Sequence, residues 1–136
     1  MTPMAHRNDD AEIRNLLAEY CLLLDHDDVD GWVGLFTLDA SYVVHGRTFT
    51  GHDGLHTMLS GAPGGLHLGG PPVVEIVDAT HARTRQNLLF VDRANGVMRS
   101  AVYDDQLVRT DDHGWRFAFR RCQFIGPEGL SDRPVE

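Results

Sequence analysis

Between residues 66 and 125 the chain reads as four strand-length segments, 66–77, 82–91, 97–109 and 115–125, separated by DAT, DRANG and TDDHG. Each connection carries Asp or Gly, residues that tolerate tight bends. Connections this short join antiparallel neighbours, because a parallel crossover needs a dozen or more residues. The second half of the chain is therefore expected to form an antiparallel meander. Pro71-Pro72 removes two backbone donors, which places that pair at a sheet edge or a bulge. Such a sheet must cover its apolar face, and the preceding residues supply the cover.

Asp9 or Asp10 can cap a first helix, and Asp9 with Glu12 has capping-box spacing. Ile13, Leu16, Leu17, Tyr20, Leu23 and Leu24 then recur at helical intervals, giving one wide apolar face. The helix runs into LLLDHDDVDGWVGLF, residues 22–36, where Asp25, Asp27, Asp28 and Asp30 crowd together before Trp32 restarts the apolar pattern. A buried face meeting a charged patch is a local conflict, and such conflicts tend to mark functional or strained sites. Asp28 or Asp30 can cap a short second helix holding Trp32, Val33, Leu35 and Phe36. Residues 40–45 read as a strand, Gly46 as a turn and 47–50 as the partner strand. A third helix, HDGLHTMLS, is expected from Gly51 to near Gly61. The tail after Gly126 is polar and expected to be loose.

Helices first and a long sheet after them make an α+β chain, with helices packed on one face of a curved, mainly antiparallel sheet. One domain is expected over 1–136, with its core in 9–125. A sheet curved around a helix leaves a cone-shaped cavity, a usual kind of small-molecule site.

The formal net charge is -8, with no lysine and scattered arginines. That argues against nucleic acid and against anionic membrane surfaces, both of which need a basic patch. Cys21 and Cys122 are too few for a disulfide framework and are expected to be reduced core residues. MTPMAHRNDD lacks the apolar stretch of a secretory leader, and no segment approaches the length of a membrane span. A cytoplasmic protein is the expectation.

Three stretches carry a resemblance: EIRNLLAEYCLLLDHDDVDGWVGLFTLDASYVVHG, GLHLGG, and YDDQLVRTDDHGWRFAFRR. In their order and spacing they resemble the SnoaL-like branch of the NTF2-like superfamily, over roughly Asp9 to Ile125. The resemblance implies a cone-shaped α+β barrel with a pocket between helix and sheet. It also implies a homodimer through the outer sheet face. Members of the superfamily include dehydratases, dehydrochlorinases, isomerases, polyketide cyclases and epoxide hydrolases, while others are non-catalytic binding domains, so fold alone does not give function. Hexachlorocyclohexane dehydrochlorinase and scytalone dehydratase place an Asp at the end of the first helix, matching Asp25. They place a His at the start of the first long sheet strand, matching His67. The dehydrochlorinase adds an Arg on the last strand five residues after a Trp, which from Trp115 gives Arg120. The chain departs from scytalone dehydratase at Leu24, where that enzyme has a tyrosine. It departs from ketosteroid isomerase near Val44, where that enzyme carries its base.

The chemistry these residues would support is proton abstraction. A neutral imidazole can take a proton near neutral pH, its unperturbed pKa being about 6.5. A carboxylate on the other ring nitrogen fixes the tautomer and stabilises the imidazolium. A guanidinium nearby can stabilise a departing anion. His67 is thus the candidate base, Asp25 its orienting partner and Arg120 the electrostatic stabiliser, with no cofactor needed. Structural alternatives stand beside each: Asp25 as a helix terminator, His67 as a satisfied structural histidine, Arg120 exchanging roles with Arg121. Tyr20, Trp32, Tyr42 and Tyr103 are candidate pocket walls, although for Trp32 core packing is the stronger reading. Gln86 and Asn87 lie on opposite faces of one strand, and Asn87 is the candidate polar contact to substrate. His52 and His56 have the spacing of a metal pair but lack the glutamate and a third ligand; a pocket lid or a solvated face is the better account. The functional expectation is a cofactor-independent lyase or isomerase acting on a small apolar cyclic or polyketide-like molecule. The rivals are a non-catalytic small-molecule binding domain and an interaction module using the outer sheet face.

Overall fold

A computed structural model of the chain describes residues 7–135. The leader reading falls in part on residues 1–6, which lie outside the described residues. The elements in chain order are α1 (Asp9–Asp25), α2 (Val29–Val33), β1 (Phe36–Val44), β2 (Arg47–Thr50) and α3 (Gly51–Ser60), followed by β3 (Gly65–Gly69), β4 (Val73–Ile76), β5 (His81–Asp92), β6 (Met98–Thr110), β7 (Gly114–Gly126) and β8 (Gly129–Ser131). The result is an α+β cone: helices against one curved sheet, ordered β2-β1-β7-β6-β5-β3, with β4 on β5 and β8 on β7. No described helix is long and apolar enough to cross a membrane.

The long strands β5, β6 and β7 form the expected antiparallel meander. The sheet is nevertheless mixed, because β1 runs parallel to β7. The chain reaches β1 from the helices rather than by a hairpin, so it can enter alongside β7 in either sense. Phe36, expected in the second helix, is instead the first residue of β1 and stands opposite Phe117. The amide of Phe117 bonds to the Leu35 carbonyl, drawing this segment into the sheet rather than into another helical turn.

The expected single strand 66–77 is two strands. Pro71-Pro72 interrupts it, and β3 and β4 pair separately with β5 at the sheet edge, as two missing donors require. The tail is not loose: β8 pairs back onto β7 through Gly126, Gly129 and their neighbours.

The first helix is capped by Asn8, whose side chain accepts from the amide of Ala11, and not by Asp9 or Asp10. Asp9 is drawn away by Arg7 at 2.8 Å and by the indole N–H of Trp115 at 3.0 Å. Ile13, Leu16, Leu17 and Tyr20 are buried against the inner sheet face. At roughly 1.5–3 kcal/mol per large apolar side chain, that stripe is a main source of helix stability here. Trp32, Phe36, Leu55 and Phe117 complete the buried centre.

Candidate functional site

The crowded carboxylates after α1 divide their tasks. His26 ends the helix, and Asp27 takes φ 59, a left-handed value that Asp tolerates better than most residues. That turn leaves the Asp27 side chain on Arg93, with two contacts of 3.2 Å. Asp28 caps α2 by accepting from the Gly31 amide at 3.0 Å. Asp25, in the last turn of α1, is aimed at β3. It accepts the backbone N–H of His67 on both oxygens, at 3.0 and 3.2 Å, and contacts His67 Nδ1 at 2.8 Å. A carboxylate only accepts, so Nδ1 carries a proton, and in the neutral imidazole Nε2 is left as an acceptor. The backbone contacts lock the strand to the helix, so the imidazole cannot drift from its partner. Both side chains are about 15% exposed, at 14% and 15%.

His67 lies in the wall of a cavity of about 780 Å³ between the helices and the inner sheet face, well within the range of small-molecule sites. Asp25 sits behind it. Tyr20, Trp32, Tyr42 and Tyr103 also line the cavity. The hydroxyls of Tyr20 and Tyr42 are 2.6 Å apart. Burial pushes the Tyr20, Tyr42 and Tyr103 phenols above their ordinary range, the last two well above it. They stay protonated and can donate to a developing negative charge. Trp32 is fully buried, as its packing role requires, yet one face still reaches the cavity.

Arg120 is placed differently from the expectation of a direct stabiliser. It points inward, while Arg121 points outward towards Asp104. It does not reach the cavity, however: it is fully buried one layer below, gripped by Asp105 at 2.6 and 3.0 Å. Its guanidinium carbon sits 4.2, 3.6 and 4.5 Å from the ring centres of Tyr20, Tyr103 and Phe117. Burial opposes its charge, but Asp105 outweighs that and holds it firmly ionised. The reason is register: Asp105 stands directly across from Arg120, and Thr84 completes the carboxylate's shell at 2.7 Å. The adjacent acids Asp104 and Asp105 face the adjacent bases Arg121 and Arg120, one pair outside and one inside. That pattern was visible as DD and RR on consecutive strands, yet the strand register was needed to join them.

Asn87 is exposed on the outer face and does not line the cavity; β5 turns Gln86 inward, where its amide donates to the Gly70 carbonyl at 2.9 Å. Side-chain alternation along β5 makes the two placements mutually exclusive. His52 contacts the Phe36 carbonyl and His56 is exposed, so the two do not converge.

The SnoaL-like domain family matches residues 5–121 of the chain. No functionally curated protein matches it. Among solved structures, an NTF2-like protein with a cystatin-like fold from Novosphingobium aromaticivorans is 26% identical, covering 88% of this chain and 83% of its own, with TM-score 0.77. A function-unknown protein from Mycobacterium tuberculosis, Rv3472 in a variant form, is 28% identical over 82% of this chain and 73% of its own, with TM-score 0.74. The hexachlorocyclohexane dehydrochlorinase LinA-type3 from Novosphingobium barchaimii is 18% identical over 93% and 89%, with TM-score 0.75, a likeness of fold.

Proposed function

As the chain belongs to the SnoaL-like domain family, whose solved structural neighbours include a dehydrochlorinase, we propose that it is a cofactor-independent lyase or isomerase for a small ring-bearing molecule. The observation that carries this reading is the 2.8 Å contact between His67 Nδ1 and Asp25 at the wall of a largely apolar cavity. His67 Nε2 takes the proton from a substrate C–H. The freed electron pair forms a carbon–carbon double bond, and the leaving group on the neighbouring carbon departs with its bonding pair. In an isomerisation the same proton is returned to another carbon. Asp25 holds the Nδ1 proton and stabilises the imidazolium without itself being protonated. Tyr20 or Tyr42 donates to the departing group. Arg120 acts through the tyrosines it packs beneath and is a positioning residue. Exposed Leu66, Leu68 and Val73 on the outer face support a homodimer as part of the same proposal.

The test is a screen of elimination substrates, halogenated cyclohexanes and β-hydroxy ketones, with wild type and His67→Gln. Loss of about 10²–10⁴-fold in turnover with ligand affinity retained is the expected result. Equal turnover by the variant would overturn the assignment of the base. Tight ligand binding with no turnover of any member would favour the non-catalytic binding reading.

A further inference from the structure

The chain is acidic, with 20 Asp+Glu against 12 arginines, so an arginine here does not lack carboxylates to pair with. Eight of the arginines, at 7, 14, 83, 85, 93, 109, 120 and 121, contact a carboxylate, and Arg116 donates to the Gly34 carbonyl. Among the described residues only Arg47, Arg99 and Arg133 have neither kind of acceptor. All three line the cavity.

They come from three separate places. Arg47 starts β2 and stacks on Phe49, 4.7 Å from the ring centre. Arg99 lies on the inner face of β6, on the same side as Ala101 and Tyr103. Arg133 is delivered by the tail that β8 folds back onto β7. Counting Arg93, which is held by Asp27, four arginines line the cavity against two aspartates, Asp27 and Asp28. Asp28 is engaged as the α2 cap. The cavity rim is thus locally positive on a chain of net charge -8. Arg47 and Arg133 are exposed and Arg99 is half-buried, so water solvates them in part, but like charges gathered at one rim still repel, and an anion among them relieves that repulsion.

The strand ladder relates this rim to the base. His67 on β3 pairs with Phe90 on β5, which pairs with Arg99 on β6. All three turn inward, and two strand steps separate the His67 and Arg99 backbones by about 10 Å. Between base and arginine lies the flat apolar face of Phe90, about the length of one ring.

We infer that the ligand of this cavity is an anion, a ring-bearing carboxylate whose ring rests on Phe90 beside His67 and whose carboxylate is bound by Arg99 and Arg133, with Arg47 closing the far side. The inference rests on the reading of this cavity as a small-molecule site and names its substrate class. Arginine suits the task because its planar fork meets a carboxylate with two parallel hydrogen bonds.

The probes are 2-naphthoate and its neutral counterpart 2-naphthamide, titrated by calorimetry at low salt. Naphthoate is expected to bind the wild type about tenfold or more tightly than the amide, as a charge-assisted bond implies. The preference should shrink as salt rises. It should vanish in the Arg99→Met/Arg133→Met double variant and persist in Arg85→Met, whose arginine lies on the outer face. His67→Gln should keep it, because the base does not hold the carboxylate. Equal affinity for the two probes, a preference that survives the double variant, or no binding of naphthoate at millimolar concentration would each overturn the inference. Carboxylate preference without turnover would leave this inference standing while the catalytic reading falls; turnover without carboxylate preference would do the reverse.

Discussion

Replacing Asp105 by Asn should be among the most damaging single changes to this protein. Asp105 is 4% exposed and Arg120 0% exposed. The carboxylate makes two contacts to Arg120 and one to Thr84. Asn keeps the shape and one acceptor but removes the negative charge. Arg120 stays ionised, sealed beneath aromatic rings whose faces offer only partial compensation. Leaving one member of a buried ion pair uncompensated costs about 3–5 kcal/mol. Against a typical total of about 5–15 kcal/mol, that is a large share. For a domain of this size it corresponds to a fall in Tm of about 10–20 °C. Urea and thermal unfolding followed by circular dichroism would measure it. The double variant Asp105→Leu/Arg120→Met should recover most of the loss, to within about 2 kcal/mol of wild type, because a buried pair is often replaceable by apolar groups. A loss below about 1 kcal/mol in Asp105→Asn would refute the reasoning, since it would mean that water reaches the guanidinium. So would a double variant as unstable as the single one.

Burial works to raise the pKa of Asp9, but bonds from Trp115 and Arg7 and the charges of Arg7 and Arg109 outweigh it and leave the group below its ordinary 3.8. Its contribution to stability is therefore fully present above pH 3.8 and lost as pH falls through the lower, folded value. Asp9→Asn should cost about 1 kcal/mol at pH 7 and flatten this acid limb, as read from urea midpoints across pH 2–6; an unchanged acid limb would contradict the assignment. Burial pushes the Cys122 thiol up to about 12 and raises Cys21 as well. Neither should react with a thiol reagent at pH 8 until the chain unfolds, so the reaction rate should follow urea concentration through the unfolding transition. Removing the tail after Gly126 should strip Arg133 from the rim and weaken 2-naphthoate binding several-fold while leaving the meander folded by circular dichroism; undiminished binding would show that Arg133 takes no part.

The candidate site is legible mainly through the resemblance. An apolar helix face running into acids marks the stretch around Asp25, but it is the match to a helix-end Asp and a strand His that singles out Asp25 and His67. Their meeting is another matter. Forty-two residues separate them, and only the packing of α1 against β3 brings carboxylate to imidazole. Arg120 is favoured over Arg121 by the resemblance alone, and its sealed place below the cavity was not legible, because its partner Asp105 is chosen by strand register. Asn87 shows the limit of alternation read without a register: a strand announces two faces but not which one is covered. The tail after Gly126 carried no apolar pattern of its own, so its return to β7 depends on backbone pairing with an edge already formed. Arg99 and Arg133 were indistinguishable in sequence from the paired arginines, since lacking a partner is a property of three-dimensional surroundings.

What the sequence determined by itself was the order and most of the inventory, short of the split at Pro71-Pro72 and the strand in the tail: an amphipathic helix, a break loaded with acids, two short helices, and long strands joined by turns too short for anything but antiparallel neighbours. These follow from periodicity and turn chemistry, which act over a few residues. The tertiary structure alone decided which strand β1 would join, which face of β5 would be covered, and which charges would meet. Those outcomes depend on contacts between residues far apart in the chain, where the low polarity of the interior makes each pairing, or each missing pair, count for far more than it does in water.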